Sequence, residues 1–216
     1  VVSAGGRLFS ILDEGPTSSV QLPPRWCLVA RDAFSGVRLW TRPIESWESH
    51  LSLAQNGPPE LSRRLVACGD RVYVTLGIDA PLTALEAATG TTVQMYAGTE
   101  RAEEVLYDAS ILFAIVRSTH AMETLGSRTS GERTVVAFDA RTGNMLWGKP
   151  GAQSVPMSLA VGSGRVFYLN DTAVVCLNAK DGREMWRTPR AVAPQRPRWS
   201  APTVVVQGDV VLCADR

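Results

Sequence analysis

The sequence predicts an all-β protein built from the four-stranded antiparallel blades of a β-propeller. An eleven-residue pattern with glycine and tryptophan recurs along the chain, short apolar runs alternate with turn residues, and no helical periodicity interrupts them. Four recurrences followed by two further strands predict four blades and part of a fifth. A two-layered sandwich would not repeat its corner in this way.

The recurring pattern reads Ala, any residue, Asp, three residues, Gly, three residues, Trp. Two copies are complete, one carries Cys and Asn in place of Ala and Asp, and one carries Glu and lacks the tryptophan. The copies consist of Ala30, Asp32, Gly36 and Trp40; Ala84, Glu86 and Gly90; Ala137, Asp139, Gly143 and Trp147; and Cys176, Asn178, Gly182 and Trp186. In the second copy Gln94 stands at the tryptophan position, with Tyr96 nearby as a partial replacement.

Each residue type of the pattern suits a tight corner between two strands. The carboxylate or amide accepts hydrogen bonds from backbone amides of the turn, and glycine supplies the positive φ that the turn requires. The tryptophan then stands on the following strand with a large apolar face and one N–H donor. A proline three residues later ends that strand in three copies, at Pro43, Pro150 and Pro189.

The remaining strands are predicted from apolar runs upstream of each corner. Second strands are predicted in apolar runs that often open with glycine and a charged residue, at residues 6–9, 70–73, 164–167 and 208–211. First strands precede most of them, near residues 1–4, 65–67, 159–161 and 203–205. The corner glycines are 54, 53 and 39 residues apart, close to known propeller repeats of about 40 to 50. Inserts at 13–25 and 118–133 account for the longer intervals.

These elements define one propeller region over residues 1–216, incomplete at both ends. The predicted blades cover about residues 1–50, 60–98, 103–150 and 157–190, with a partial blade at 201–216. We therefore expect the sequence to be a fragment of a larger propeller, with the remaining blades of the same chain as its first partners. Open sheet edges favour such association.

The stretch AFDARTGNMLW at residues 137–147 resembles the tryptophan-docking motif of the quinoprotein-like, or PQQ-like, β-propellers. The resemblance covers nearly the whole chain and implies that Trp40, Trp147 and Trp186 wedge between neighbouring blades, with blade two as the weakest joint. That family includes dehydrogenases that use pyrroloquinoline quinone (PQQ), the propeller lipoprotein of the outer-membrane assembly machinery, and non-enzymatic propellers of large bacterial proteins. The resemblance implies that the protein is located in the periplasm or cell envelope rather than in the cytoplasm.

Composition and cysteine spacing reduce the range of partners and cofactors that the sequence favours. With 22 basic and 21 acidic side chains the formal charge is +1, which favours neither nucleic acid nor an anionic membrane as partner, and no apolar run is long enough to span a bilayer. The dehydrogenases of the family carry adjacent cysteines beside the quinone and a calcium ion. No cysteines are adjacent here, so the sequence predicts no catalytic, metal or cofactor residue and does not favour PQQ with calcium. The four cysteines are interpreted as buried thiols, with a disulfide left open.

The search for further chemistry predicts little. His50 and His120 are interpreted as loop residues, and the adjacent Glu103 and Glu104 as a solvated edge whose side chains point to opposite faces. Three tryptophans lie outside the corners and are the candidates for a partner surface; they are Trp26, Trp47 and Trp199.

Three functional hypotheses follow. The first is a non-catalytic binding or scaffold module of a larger bacterial protein, which uses one propeller face for a protein, glycan or small ligand. The alternatives are an envelope assembly or sensor propeller and a part of a PQQ-dependent dehydrogenase.

Overall fold

The computed structural model describes residues 1–16, 22, 24–45, 63–117, 132–150, 152, 154–155, 157–190 and 203–214. These residues form eighteen β-strands and no α-helix. They are arranged as four four-stranded antiparallel sheets and one two-stranded sheet, each joined in simple sequence order. The prediction of four-stranded blades is therefore confirmed. Within the described ranges, no helix has the length and apolarity needed to cross a bilayer.

The chain divides into two compact units, Val1–Ala102 and Glu103–Arg216. The first unit contains blades one and two. Blade one consists of β1 Val2–Ala4, β2 Arg7–Asp13, β3 Trp26–Asp32 and β4 Arg38–Pro43. Blade two consists of β5 Leu65–Cys68, β6 Arg71–Thr75, β7 Leu82–Glu86 and β8 Thr92–Met95.

The second unit contains blades three and four and a terminal hairpin. Blade three consists of β9 Ala102–Asp108, β10 Ile111–Arg117, β11 Arg133–Asp139 and β12 Met145–Lys149. Blade four consists of β13 Ala160–Gly162, β14 Arg165–Leu169, β15 Ala173–Asn178 and β16 Glu184–Pro189. The hairpin consists of β17 Thr203–Gln207 and β18 Val210–Ala214.

Apolar side chains of adjoining sheets, rather than of one sheet alone, form the core of each unit. In the first unit a buried cluster joins Phe9 and Leu28 of blade one to Val72 and Leu85 of blade two. In the second unit a cluster joins blades three and four, and a smaller one joins blade four to the hairpin. Because short strands alternate their side chains between two faces, each sheet can contribute to the core on both sides.

The pairing of the third and fourth strands shifts register at the same place in every blade. The shift falls directly after the small residue of the sequence pattern, between Ala30 and Arg31 in blade one and between Cys176 and Leu177 in blade four. Blades two and three have the same irregularity after Ala84 and Ala137. Such a bulge increases the local twist of the hairpin and directs the corner.

Candidate functional site

The corner of blade one is held by its aspartate. Asp32 Oδ1 accepts hydrogen bonds from the backbone N–H of Phe34 at 3.0 Å and of Ser35 at 2.7 Å, and from the Ser35 hydroxyl at 2.8 Å. Gly36 closes the turn with a φ of 72° and donates its N–H to the Asp32 carbonyl at 2.9 Å. The hydrogen bonds from Ser35 are the main cause that lowers the pKa of Asp32 below its usual range.

The other three corners share this backbone geometry, and blade three also shares the aspartate acceptor. In blade three Asp139 Oδ1 accepts from Thr142 N at 2.7 Å and Thr142 Oγ1 at 2.9 Å, which lowers its pKa. Asn178 of blade four accepts from the backbone N–H of Lys180 at 2.8 Å, whereas Glu86 of blade two accepts only from the Thr89 hydroxyl at 2.8 Å. The three remaining corner glycines also have positive φ; these are Gly90 at 74°, Gly143 at 76° and Gly182 at 69°.

The small residue of each pattern lies between two larger side chains in a row across the sheet. In blade one Phe9 of β2 pairs with Ala30 of β3, which pairs with Trp40 of β4. The rings of Phe9 and Trp40 meet over the alanine with centroids 5.8 Å apart. A larger side chain at the middle position would separate them, which explains why this position carries alanine or cysteine.

The same row is present in the other blades. Phe113, Ala137 and Trp147 form it in blade three with ring centroids 6.1 Å apart, and Phe167, Cys176 and Trp186 form it in blade four at 5.9 Å. In blade two the row consists of Tyr73, Ala84 and Gln94. Here the ring of Tyr73 lies beside the buried ring of Tyr96 instead, with centroids 6.4 Å apart.

The phenylalanine of this row was missed in the sequence. A signal for it exists, because Phe9, Tyr73, Phe113 and Phe167 are each the third residue of the second strand of their blade. An aromatic residue at one fixed offset in four repeats would have predicted a partner for the tryptophan.

Two tryptophans join one blade to the next within their units. The indole N–H of Trp40 donates to the Ala87 carbonyl of blade two at 3.0 Å, and that of Trp147 donates to the Ala179 carbonyl of blade four at 2.9 Å. Each ring also covers the glycine of the corner that it reaches. A Cβ added to Gly90 would lie 2.8 Å from the Trp40 ring, and one added to Gly182 would lie 2.6 Å from the Trp147 ring.

A basic residue two positions beyond each of these tryptophans reaches the same neighbouring blade. Arg42 donates to the Gly90 carbonyl at 2.7 Å, and Lys149 Nζ lies 3.8 Å from Glu184 Oε2. The joint therefore combines ring packing, an indole hydrogen bond and a cation at the outer strand.

Trp186 differs from the other two pattern tryptophans. Its side chain is 38% exposed, against 9% for Trp147. The ring packs on Phe167 of its own blade, and among the described residues its indole N–H has no acceptor. The structure thus brings Trp40 and Trp147 to a neighbouring corner and leaves Trp186 partly open to solvent.

The prediction of a solvated edge at Glu103 and Glu104 is wrong, because both side chains are buried. Glu103 lies 2.7 Å from Arg133 Nε and 3.3 Å from Arg117 Nε, and these two arginines are direct partners across β10 and β11. Glu104 Oε2 accepts from the backbone N–H of Leu159 at 3.2 Å. β9 is the end strand of its sheet, but Leu106 of this strand packs against the core cluster of blades three and four. The two buried charges are retained because each has a specific partner.

The prediction that Trp26, Trp47 and Trp199 form a partner surface needs correction at Trp26. Trp26 is half-buried and packs against the core cluster of the first unit, because it begins β3 beside the apolar side chains of that cluster. Trp47, Trp199, His50 and His120 lie outside the described residues.

No metal centre or disulfide is present in the part of the chain that the structure describes. No group of three His, Cys, Asp or Glu side chains could hold a metal ion there. All four cysteines are free thiols, and burial raises the pKa of Cys27 and of Cys176. Ser163 and Gly164 form the two-residue turn between β13 and β14, with φ of 52° and 70°.

Comparison with protein families gives one match. The model for the outer membrane protein assembly factor BamB matches residues 112–216, slightly less than half of the chain. This similarity supports a PQQ-like propeller type. No curated protein matches the sequence.

Solved structures match a larger part of the chain at low identity. The computationally designed protein Ika4 has a TM-score of 0.52 at 15% identity, over 70% of this chain and 83% of that one. Quinohemoprotein alcohol dehydrogenase from Comamonas testosteroni has a TM-score of 0.51 at 14% identity, over 89% of this chain and 37% of the enzyme. Acylaminoacyl peptidase from Pyrococcus horikoshii has a TM-score of 0.56 at 10% identity, over 88% of this chain and 32% of the enzyme.

These similarities concern the fold. The chain spans about a third of the length of the two natural enzymes. Together with the repeated four-stranded sheets, they show that the described residues form blades of a β-propeller. A propeller supports many unrelated activities, so function has to be argued from the residues of this chain.

Proposed function

We propose that this chain is a non-catalytic β-propeller region that acts as a binding and scaffold module within a larger bacterial protein. The observation that carries the proposal is the way in which strand-end side chains fix the bases of the two long inserts. Binding residues are commonly held on loops that a rigid β-scaffold positions.

The base of the first insert is fixed by Asp13 at the end of β2. Its Oδ1 accepts from Gly15 N and from Arg25 N, both at 2.8 Å. Glu14 N donates to the Arg25 carbonyl at 2.9 Å. The chain therefore leaves and re-enters blade one at two backbone positions that are tied together.

The base of the second insert is fixed by the buried ion pairs of Glu103. One carboxylate contacts both Arg117, the last residue of β10, and Arg133, the first residue of β11. Removing charges from water is costly, so a buried cluster at this position favours a role in holding the two strand ends. In each unit, the insert joins the second and third strands of the first blade.

The blade joints supply the rigidity that a scaffold needs. Trp147→Ala removes a ring that is 9% exposed and a hydrogen bond to Ala179, and we expect it to cost about 3 to 5 kcal/mol. Trp186→Ala is the matched control. The corresponding ring in blade four is 38% exposed, so we expect a smaller loss of unfolding free energy. Equal losses measured in urea unfolding would contradict the role of the joint.

The binding role is tested by replacing residues 118–132 with a short Gly-Ser turn in the full-length protein. We expect the melting temperature to change little, while photo-crosslinked partners in cells decrease, because the insert and not the sheet makes the contact. Residues 170–172, which join β14 and β15 with two exposed side chains, provide a control connection of the same type. Unchanged crosslinking after replacement of both long inserts would overturn the proposal.

A second candidate is a role in envelope assembly, favoured by the match to the outer membrane protein assembly factor. It implies a periplasmic or envelope location. Protease accessibility in spheroplasts, compared with intact cells, tests the location, and outer-membrane protein levels after depletion of the protein test the role. Protection of the full-length protein inside spheroplasts would remove this candidate.

The remaining alternative, part of a PQQ-dependent dehydrogenase, predicts a different result. Adding PQQ with calcium to the full-length protein would then raise its melting temperature and support dye reduction. For a non-catalytic module we expect neither effect. A saturable, calcium-dependent stabilisation would favour the enzyme.

A further inference from the structure

The corner of blade one exposes apolar side chains to an unusual degree. Phe34, at the tip of the turn, is 92% exposed, and Val37, on the other side of Gly36, is 59% exposed. Leu39 follows on β4 at 44%. We call Phe34 and Val37, with the turn that carries them, the blade-one corner. Single exposed apolar residues are common, but an almost fully exposed aromatic ring beside a second apolar side chain is not.

The other corners show that the turn does not need these side chains. At the position of Phe34 they carry Ala88, Arg141 and Lys180, and at the position of Val37 they carry Thr91, Asn144 and Arg183. Ala88 and Lys180 remain exposed even though a tryptophan of the preceding blade covers the glycine of each of those corners. The tip position therefore faces solvent when a neighbouring blade is in place.

The blade-one corner is also rigid. The three hydrogen bonds to Asp32 fix the backbone on both sides of Phe34, and Ala33 N donates to the Gly6 carbonyl at 2.9 Å. The Phe34 ring lies beside Gly6, 3.5 Å from the position that a Cβ would take there. A side chain held in this way loses little conformational entropy when a partner covers it.

Charge around the corner is positive. Three arginines stand on the strands beside it: Arg7 is the pairing partner of Asp32, and Arg31 is the pairing partner of Arg38. In the part of the chain that the structure describes, the carboxylates beside this group are engaged, Asp32 by the turn and Glu14 by Arg38 at 2.5 Å. An acidic surface would complement the two remaining guanidinium groups.

From these observations we infer that the blade-one corner is a recognition surface for an acidic protein segment with an apolar pocket for the Phe34 ring. The inference rests on the proposed binding function and names a surface and a partner chemistry for it. Aromatic and arginine side chains are enriched in protein interfaces and dominate their binding energy. A bilayer is the less suitable partner, because stable membrane attachment requires more apolar area or more basic residues than this corner offers.

The experiment uses a phage-displayed library of random twelve-residue peptides, selected on the full-length protein without counter-selection and then compared for binding to its Phe34→Ser variant. We expect enriched peptides to combine Asp or Glu with apolar residues. Their synthetic forms should bind the Phe34→Ser variant at least about tenfold more weakly and bind Arg141→Ser, the same position in blade three, unchanged. Because Phe34 is exposed, its variant should melt at the temperature of the parent protein.

Several outcomes would overturn the inference. Peptides that bind the parent protein and the Phe34→Ser variant equally would place binding elsewhere, which leaves the binding module intact and rejects this corner. Enrichment of basic peptides, or of none, would reject the charge argument. Sedimentation with phosphatidylserine vesicles that depends on Phe34 would identify a membrane surface instead. The insert replacement described above tests the proposed function independently of all these results.

Discussion

At the residue scale, glycine has two separable tasks in the corners. All four corner glycines have φ near 70°, a conformation that costs other residues energy because Cβ approaches the following carbonyl. Only some of them are also covered by a ring. Gly90 and Gly182 lie against Trp40 and Trp147, whereas Gly36 has no atom within 4 Å of the position a Cβ would take. The pattern thus records both a backbone requirement and a packing requirement.

Substitution of matched glycines separates these tasks. Gly36→Ala should lower the free energy of unfolding by about 1 to 2 kcal/mol, which is the cost of placing an alanine in the left-handed backbone conformation. Gly90→Ala should cost a further 1 to 3 kcal/mol or so, because its Cβ would lie 2.8 Å from the Trp40 ring and overpack the joint. Urea unfolding of both variants measures the difference. Equal losses would mean that the indole ring moves aside freely.

At the scale of the elements, the corners of blades one and three are hairpins whose stability depends on the ionisation of an aspartate acceptor. The lowered pKa of Asp139 means that the folded protein binds its proton less readily than the unfolded chain does. The stabilisation is therefore present above the ordinary pKa near 3.8 and is lost as the pH falls through the lowered value in the folded state. Asn178 performs the same turn in blade four without a charge.

Asp139→Asn should therefore weaken the acid sensitivity of the protein. The amide oxygen keeps the acceptor position, so we expect little change in the urea midpoint at pH 7 and a smaller decrease than in the parent protein between pH 7 and pH 3. Asp209→Asn, whose carboxylate is 94% exposed, is the control and should follow the parent protein. If Asp139→Asn and the parent lost stability in parallel, the corner carboxylate would not contribute to acid unfolding.

The strand ends of blade three depend on one buried carboxylate. Glu103→Gln would leave the buried Arg133 and the partly buried Arg117 without their counter-ion, and we expect the free energy of unfolding to fall by about 3 to 5 kcal/mol. The control is Glu184→Gln on the exposed outer strand, where the contacts with Arg187 and Lys149 are open to solvent and the loss should be far smaller. Chemical denaturation compares the two. A minor effect at Glu103 would show that water reaches the cluster.

The sequence predicted those features whose cause is local. Turn geometry depends on a few consecutive residues, so the corners around Asp32 and Asp139 and the strands beside them could be located from the eleven-residue pattern. The PQQ-like propeller type was inferred from a resemblance of one copy of the pattern to that family, and the family comparison supports it. Roles in partner binding and localisation stay predictions, because no local pattern encodes them.

Features that depend on side chains distant in sequence were not accessible in this way. Glu103 was interpreted as solvated because two adjacent charges are usually exposed, and its partner Arg133 lies thirty residues further along the chain. Trp26 likewise packs against a cluster that contains residues of blades one and two, some of them distant from it in sequence. The aromatic residue at the third position of each second strand could have been found from its constant offset. Its contact with the tryptophan ring across the small residue becomes clear only when the strands are paired.

At the scale of the whole molecule, the two faces of the terminal hairpin lie in different environments. One face packs on blade four through Val204 and Val206, which join the cluster around Phe167. The other face carries Val205, Val210 and Leu212 at 48%, 55% and 62% exposure. Among the described residues β18 has β17 as its single pairing partner, so an apolar face and a strand edge are exposed together. Such edges promote pairing with another chain.

The polypeptide of residues 1–216 should therefore self-associate through this hairpin. We expect sedimentation velocity to show a weight-average mass that rises with concentration, and Leu212→Lys to reduce that rise because a charge on the exposed face opposes edge pairing. Met145→Lys, at 52% exposure on the outer strand of blade three, is the control and should associate like the parent protein. Since Leu212 is already exposed, its substitution should leave the melting temperature unchanged. A concentration-independent monomer in the parent chain would show that the hairpin face does not drive association, and equal effects of both lysines would assign the association to net charge alone.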